Sequence, residues 1–142
     1  MLKVLIAVDG SDRSLRAIDA VAHWAQKTGA VELLLLNVRD RPPYYGDFPP
    51  LDAESVDARL RSAQDAVLAA AQQHARRCGF EQVTTETASG HPAPEIARVA
   101  HERQVDQIAM STHGRTAIGG LFLGSVAQRV IHLVDVPVLL VK

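Results

Sequence analysis

Aromatic rings are scarce in this chain. One Trp, two Tyr and three Phe make up 4% of its 142 residues, and Tyr44, Tyr45 and Phe48 crowd into one proline-rich stretch. With Trp24, Phe80 and Phe122 left for everything else, the core must be aliphatic, and an aromatic platform for stacking bases is not expected. Basic excess is missing too. Fifteen Lys and Arg face sixteen Asp and Glu, a net charge of -1, so nothing drives counterion release from a nucleic acid. An anionic ligand would have to be held locally, by backbone donors or one or two side chains. The lone Cys78 forms no internal disulfide, which fits a reducing cytoplasm, and it reads as a thiol near a helix end. Long apolar runs are absent: residues 1–8 reach Asp9 too soon for a signal peptide, and no run approaches the ~20 residues of a membrane span. The expectation is a cytoplasmic protein with neither membrane nor nucleic acid as partner.

What is present is ordinary for a globular chain. Hydrophobic residues are 47% and charged residues 22% of the sequence, enough to exclude wholesale disorder. The length predicts one domain, residues 1–142.

Strand and helix signals alternate along it. Residues 2–8 form a short aliphatic run closed by Asp9-Gly10-Ser11-Asp12, a turn and helix start. Leu15, Ile18, Val21, Ala22 and Ala25 share a helical face that stops at Thr28-Gly29, and 31–38 is a second, nearly continuous apolar strand. Residues 39–52, with four prolines and the clustered aromatics, read as a loop long enough to be functional or mobile. Val56, Leu60, Ala63, Val67 and Ala71 predict a helix from Ala53 to Cys78. In 80–88 the alternation of Val83, Thr85 and Thr87 predicts a half-exposed edge strand. Pro92 and Pro94 open a third helix with Ile96, Val99 and Ala100 inward. A strand at 105–110, a glycine-rich loop, a helix from about Ser125 carrying Val126, Val130 and Leu133, and a final strand at 136–141 complete the chain. Pro137 near its start marks that last strand as an edge.

The βαβαβαβαβ alternation calls for an α/β fold: a single-domain open parallel five-stranded sheet in a three-layer α/β/α arrangement, Rossmann-like or flavodoxin-like. Ligands in such sheets lie beyond the carboxyl ends of the strands, where the winding reverses. The loops after strands one and four are therefore the candidates. The second runs from Ser111 to Ser125 and contains Gly114, Gly119, Gly120 and Gly124. Glycine admits positive φ and lets a phosphate approach the amides, and Gly124-Ser125 opens a helix whose free N–H groups and positive dipole end favour an anion. The same residues would also serve a tight turn with Ser125 as a helix cap, and Asp9 would equally serve as an acceptor for the amides of its own turn. The histidines 23, 74, 91, 101 and 132 are read as surface residues without metal-ligand spacing to Cys78, and no metal site is expected from the protein alone.

From Gly114, nine residues precede Gly124-Ser125, with Ser111 three positions before Gly114. This spacing resembles the nucleotide motif of the universal stress protein family in its ATP-binding branch, which reads glycine, two residues, glycine, nine residues, then glycine and Ser or Thr. Ser111 stands where that motif has its first glycine. Ala7-Val8-Asp9-Gly10-Ser11, Gly90-His91-Pro92, Thr112-His113-Gly114-Arg115 and 137–141 are also similar to the family, so the likeness spans the chain and is most specific over 105–141. With it, the expected strand order is 3-2-1-4-5.

The resemblance implies an ATP-binding regulatory stress-response protein. Ala7, Val8 and Asp9 would border adenine and ribose, Val38 would pack on the adenine, and Met110 and Ser111 would lie by the ribose and first phosphate. Gly114, Arg115, Gly124, Ser125, Val126 and Ala127 would contact the phosphates, bridged by Mg²⁺ or Mn²⁺. It also implies a homodimer through the last strand, an apolar edge at 138–141 that leaves backbone groups unpaired. No catalytic residue is assigned: no general base stands beside the γ-phosphate position, so at most weak ATP hydrolysis is expected. A dinucleotide-binding dehydrogenase would carry G-x-G-x-x-G after strand one, which Asp9 to Ser14 does not, and a response regulator would need an acidic acceptor where Ala88-Ser89-Gly90 stands. The alternative of another class is a dimeric stress-response scaffold that binds no nucleotide.

Overall fold

The computed structural model of the chain describes residues 1–40, 53–113 and 123–142. Local chemistry sets the elements. β1 (Leu2–Ala7) ends at Asp9-Gly10, where Gly10 takes φ 87°, and α1 (Asp12–Thr28) begins under Ser11, whose Oγ accepts from Ser14 N at 3.2 Å. Gly29, at φ 108°, closes α1 by donating to the Ala25 carbonyl at 3.0 Å, a conformation that costs glycine least. β2 (Val31–Arg39), α2 (Ala53–Arg77), β3 (Val83–Ser89), α3 (Pro92–Glu102), β4 (Gln107–Ser111), α4 (Ser125–Leu133) and β5 (Val138–Val141) follow.

The sheet is parallel throughout, in the order β3-β2-β1-β4-β5, as expected, with β3 and β5 at the edges. β1 is central, pairing Leu2 with Val31 on one side and Val4 with Gln107 on the other. Alternation along the strands sends successive side chains into two cores. On one face Val4, Ile6, Leu33 and Leu35 meet Ala17, Ile18 and Val21 of α1 and Leu68, Ala71 and Ala75 of α2. On the other Leu5, Leu34, Leu36 and Ile108 meet Ala93, Ile96, Val99 and Ala100 of α3 and Ala127 and Val130 of α4. Among the described residues both cores are aliphatic but for Trp24 and Phe80. With each fully buried Leu or Ile contributing roughly 1.5–3 kcal/mol, packing without rings is sufficient.

Three faces differ from the sequence reading. On α2, Val56 and Ala63 are exposed and the buried row is Gln64, Leu68, Ala71 and Ala75, because the Gln64 amide finds backbone acceptors and can turn inward. On α4, Leu133 is half exposed and Ala127 takes the inward place beside Val130. β3 begins three residues later than expected. Phe80 closes the end of α2 by donating to the Ala75 carbonyl at 3.2 Å, and Val83 and Ala88 enter opposite cores while Thr85 and Thr87 stay exposed.

Candidate functional site

β1 lies between β2, which leads to β3, and β4, which leads to β5, so the winding reverses between the carboxyl ends of β1 and β4. The Ile6–Ala109 pairing carries Ala7 and Met110 to that point together. Ala7, Val38 and Met110 join one apolar cluster with Leu123 and Val126, which makes an aliphatic wall at this end of the sheet. Val8 is not part of it. Its side chain is buried in the opposite core with Ile18 and Leu35, its N–H donates to the Leu36 carbonyl at 2.9 Å, and its carbonyl accepts from Asn37 Nδ2 at 2.7 Å. A strand alternates faces, so Ala7 and Val8 cannot both line the same wall.

Asp9 takes up the turn role open to it in the sequence. Its Oδ1 accepts from Ser11 N at 2.9 Å and from Ser11 Oγ at 2.5 Å, which holds the β1–α1 turn beneath the helix cap. Ser111 is buried, and its Oγ donates to the His113 carbonyl at 2.6 Å, so the hydroxyl that replaces the motif's first glycine braces its own loop. Thr112 N donates to the Val141 carbonyl at 2.9 Å, and Gly124 N donates to the Thr112 carbonyl at 2.6 Å. The chain thus leaves this point after His113 and returns to it at Gly124.

Gly124 caps α4 without a side-chain hydrogen bond, and Ser125 is exposed at the first helical position. The Ala127 side chain is buried in the core, so it can offer a ligand only its backbone N–H. Gly114 and Arg115 lie outside the described residues, as do Tyr44, Tyr45 and Phe48.

Two positioning residues escaped sequence reasoning. Asn37 ties the end of β2 to Val8, and Gln64 Nε2 donates to the carbonyls of Asn37 and Ala88, both at 3.1 Å, which binds α2 to the ends of β2 and β3. The signal for Asn37 was a lone amide between the leucines 33 to 36 and Val38 in an otherwise apolar strand. Beside them Arg39 pairs with Asp57 on α2.

At one histidine the structure differs from the sequence reading: His74 is half-buried, not a free surface residue. His74 and Cys78 are one helical turn apart at the end of α2, and the fold brings Asp19 of α1 against both. Burial, then the hydrogen bond to Asp19, pushes the Cys78 thiol above its ordinary range.

A doubly wound parallel sheet whose winding reverses between β1 and β4, with α4 starting beside that point, defines a class of small three-layer α/β proteins. The sequence matches the universal stress protein family over residues 1–142, and the chain belongs to that family. It is 34% identical over 140 residues to the universal stress protein MJ0531 of Methanocaldococcus jannaschii, covering 99% of this chain and 81% of that one. Among solved structures, UspA from Lactobacillus plantarum superposes with a TM-score of 0.82 at 26% identity, covering 99% of this chain and 97% of the other. A universal stress protein in complex with cAMP shares the fold at a TM-score of 0.75 and 24% identity, covering 99% and 97%. Among the described residues no helix is long and apolar enough to cross a membrane.

Proposed function

We propose that the chain binds an adenine nucleotide, with ATP as the working ligand, and acts as a cytoplasmic regulatory protein whose bound state alters what it docks to. The observation that carries this reading is the meeting, at the reversal point, of the aliphatic wall Ala7, Val38 and Met110 with the start of α4 at Gly124. An apolar wall suits a flat base, and the N–H groups of a first helical turn suit phosphate. The family supports it, as does the cAMP held by a protein of this fold. Asp9 would face the ribose, Met110 and Ser111 would lie by the ribose and first phosphate, and Gly114, Arg115, Gly124, Ser125, Val126 and Ala127 would contact the phosphates. Val8 would act through the placement of the β1 end alone. Among the described residues no trio of His, Cys, Asp or Glu able to hold a metal lies at this crevice, so Mg²⁺ or Mn²⁺ would arrive on the phosphates.

A second reading has its own support. Asp9 Oδ1 and the Ser111 hydroxyl are both engaged within the chain, as they would be in a scaffold that takes no nucleotide. Protein denatured directly from purification, assayed for nucleotide and then titrated calorimetrically with ATP and Mg²⁺, separates the two. We expect adenine nucleotide in the first assay or saturable heat in the second, at least tenfold weaker in Asp9→Ala. Neither signal would leave the scaffold. Phosphate release should not exceed that of a Ser125→Ala control; an excess would make the protein an ATPase. Dimerisation through β5 belongs to both readings.

A further inference from the structure

α1 and α2 lie side by side on one face of the sheet, and at their meeting point three side chains of different chemistry converge. Cys78 N donates to the His74 carbonyl at 3.0 Å, so the helical hydrogen-bond pattern runs on past Arg77 and sets His74 and Cys78 on one face, a turn apart. Across from them Asp19 Oδ1 lies 2.6 Å from His74 Nε2 and 3.4 Å from Cys78 Sγ. The three candidate ligand atoms all fall within 4.8 Å of one another. A hydrogen bond between helices accounts for the Asp19–His74 pair. The Cys78 thiol donates a longer hydrogen bond to the same carboxylate oxygen, so a nitrogen and a sulfur donor both converge on it.

We propose that Asp19, His74 and Cys78 form a binding site for a borderline-soft divalent cation, of which Zn²⁺ is the type. Imidazole nitrogen, thiolate sulfur and carboxylate oxygen are the three donor kinds that Zn²⁺ accepts, at about 2.0–2.3 Å each. A tetrahedron of such bonds separates its ligand atoms by roughly 3.3–3.6 Å. The Oδ1–Sγ distance already fits, Nε2 has to withdraw from Oδ1 by less than about 1 Å, and the Nε2–Sγ pair, which lies within 4.8 Å, has to close by up to about 1.3 Å. His74 and Cys78 are half-buried, and Asp19 is exposed on the outer side, which leaves the fourth coordination position to water. Cys78 also lines a cleft of ≈ 320 Å³ with Ala22, Ala25, Gly29, Val31 and Phe80. The cleft opens at the amino end of the sheet, away from the proposed nucleotide crevice. A cation here clamps α1 to α2 and stabilises the fold by mass action.

The reduced, chelator-treated full chain tests the site. Calorimetric titration with Zn²⁺ should find one equivalent bound with a Kd at or below the micromolar range, and Co²⁺ should develop a thiolate-to-metal charge-transfer band in the near ultraviolet. Cys78→Ser should abolish that band, and Asp19→Asn and His74→Gln should each weaken Zn²⁺ at least tenfold, with far-ultraviolet circular dichroism verifying the fold. The band in the unaltered chain requires no variant, so a misfolding substitution does not blunt the test. No band at saturating Co²⁺, or Zn²⁺ affinity unchanged in His74→Gln, would overturn the proposal. Nucleotide binding enters none of these readouts.

Discussion

At Gly124 an ordinary side chain has no room. A Cβ there would lie 2.8 Å from the Thr112 carbonyl oxygen and 3.4 Å from His113 Cα, both backbone atoms that cannot swing aside. The glycine therefore has a packing role, whatever it also does for a ligand, because it lets α4 start flush against the loop that ends β4. Gly124→Ala should cost about 1–3 kcal/mol through overpacking, read as a lower midpoint in thermal or urea unfolding. It should also weaken ATP binding at least tenfold, since the first turn of α4 would shift away from the crevice. Unchanged stability would mean that the loop yields. Ser111 belongs to the same contact set: its hydroxyl braces the carbonyl of His113.

Elements carry the next layer of constraint. Ser11 is at once the cap of α1 and a partner of Asp9, so Ser11→Ala removes an acceptor from Ser14 N and a donor from Asp9 together. The loss should be about 0.5–2 kcal/mol in a denaturant melt. Gln64 holds α2 to two strand ends through one amide group. Replacing it with Leu keeps the volume but strips a donor from two carbonyls at a buried position, so about 1–3 kcal/mol should be lost. A neutral Gln64→Leu would show that water replaces the amide. The amphipathic pattern of α2 misled for this reason, since a polar side chain on the inward row is invisible to a count of apolar residues.

For the whole molecule, the two edges of the sheet are chemically opposite. β3 presents the polar Thr84, Thr85, Glu86 and Thr87, while β5 is Val138, Leu139, Leu140 and Val141, all only half-buried. Ile131 and Leu133 of α4 also stand exposed. Association through β5 in a two-fold dimer is the expected outcome, read as twice the chain mass by light scattering at micromolar concentration. A monomer mass would remove the dimer from both readings of the function.

The sequence by itself determined the layers, the parallel sheet with β3 and β5 at its edges, and the loops that flank the reversal point. Those follow from the periods of apolar residues, from the stops at Gly29 and Gly79, and from proline at 92 and 137, all of which act over a few residues. Only the tertiary structure decided which face each strand residue serves, placing Ala7, Val38 and Met110 on one wall and Val8 behind it. It also decided that Asn37 reaches Val8 across 29 residues of chain and that Asp19 meets His74 and Cys78 across more than fifty. The placing of His74 and Cys78 four residues apart in one helix lay open to the sequence, although His74 was read as a surface residue. Their meeting with Asp19 did not, because a contact between helices depends on how both dock on the sheet, and no local pattern records that.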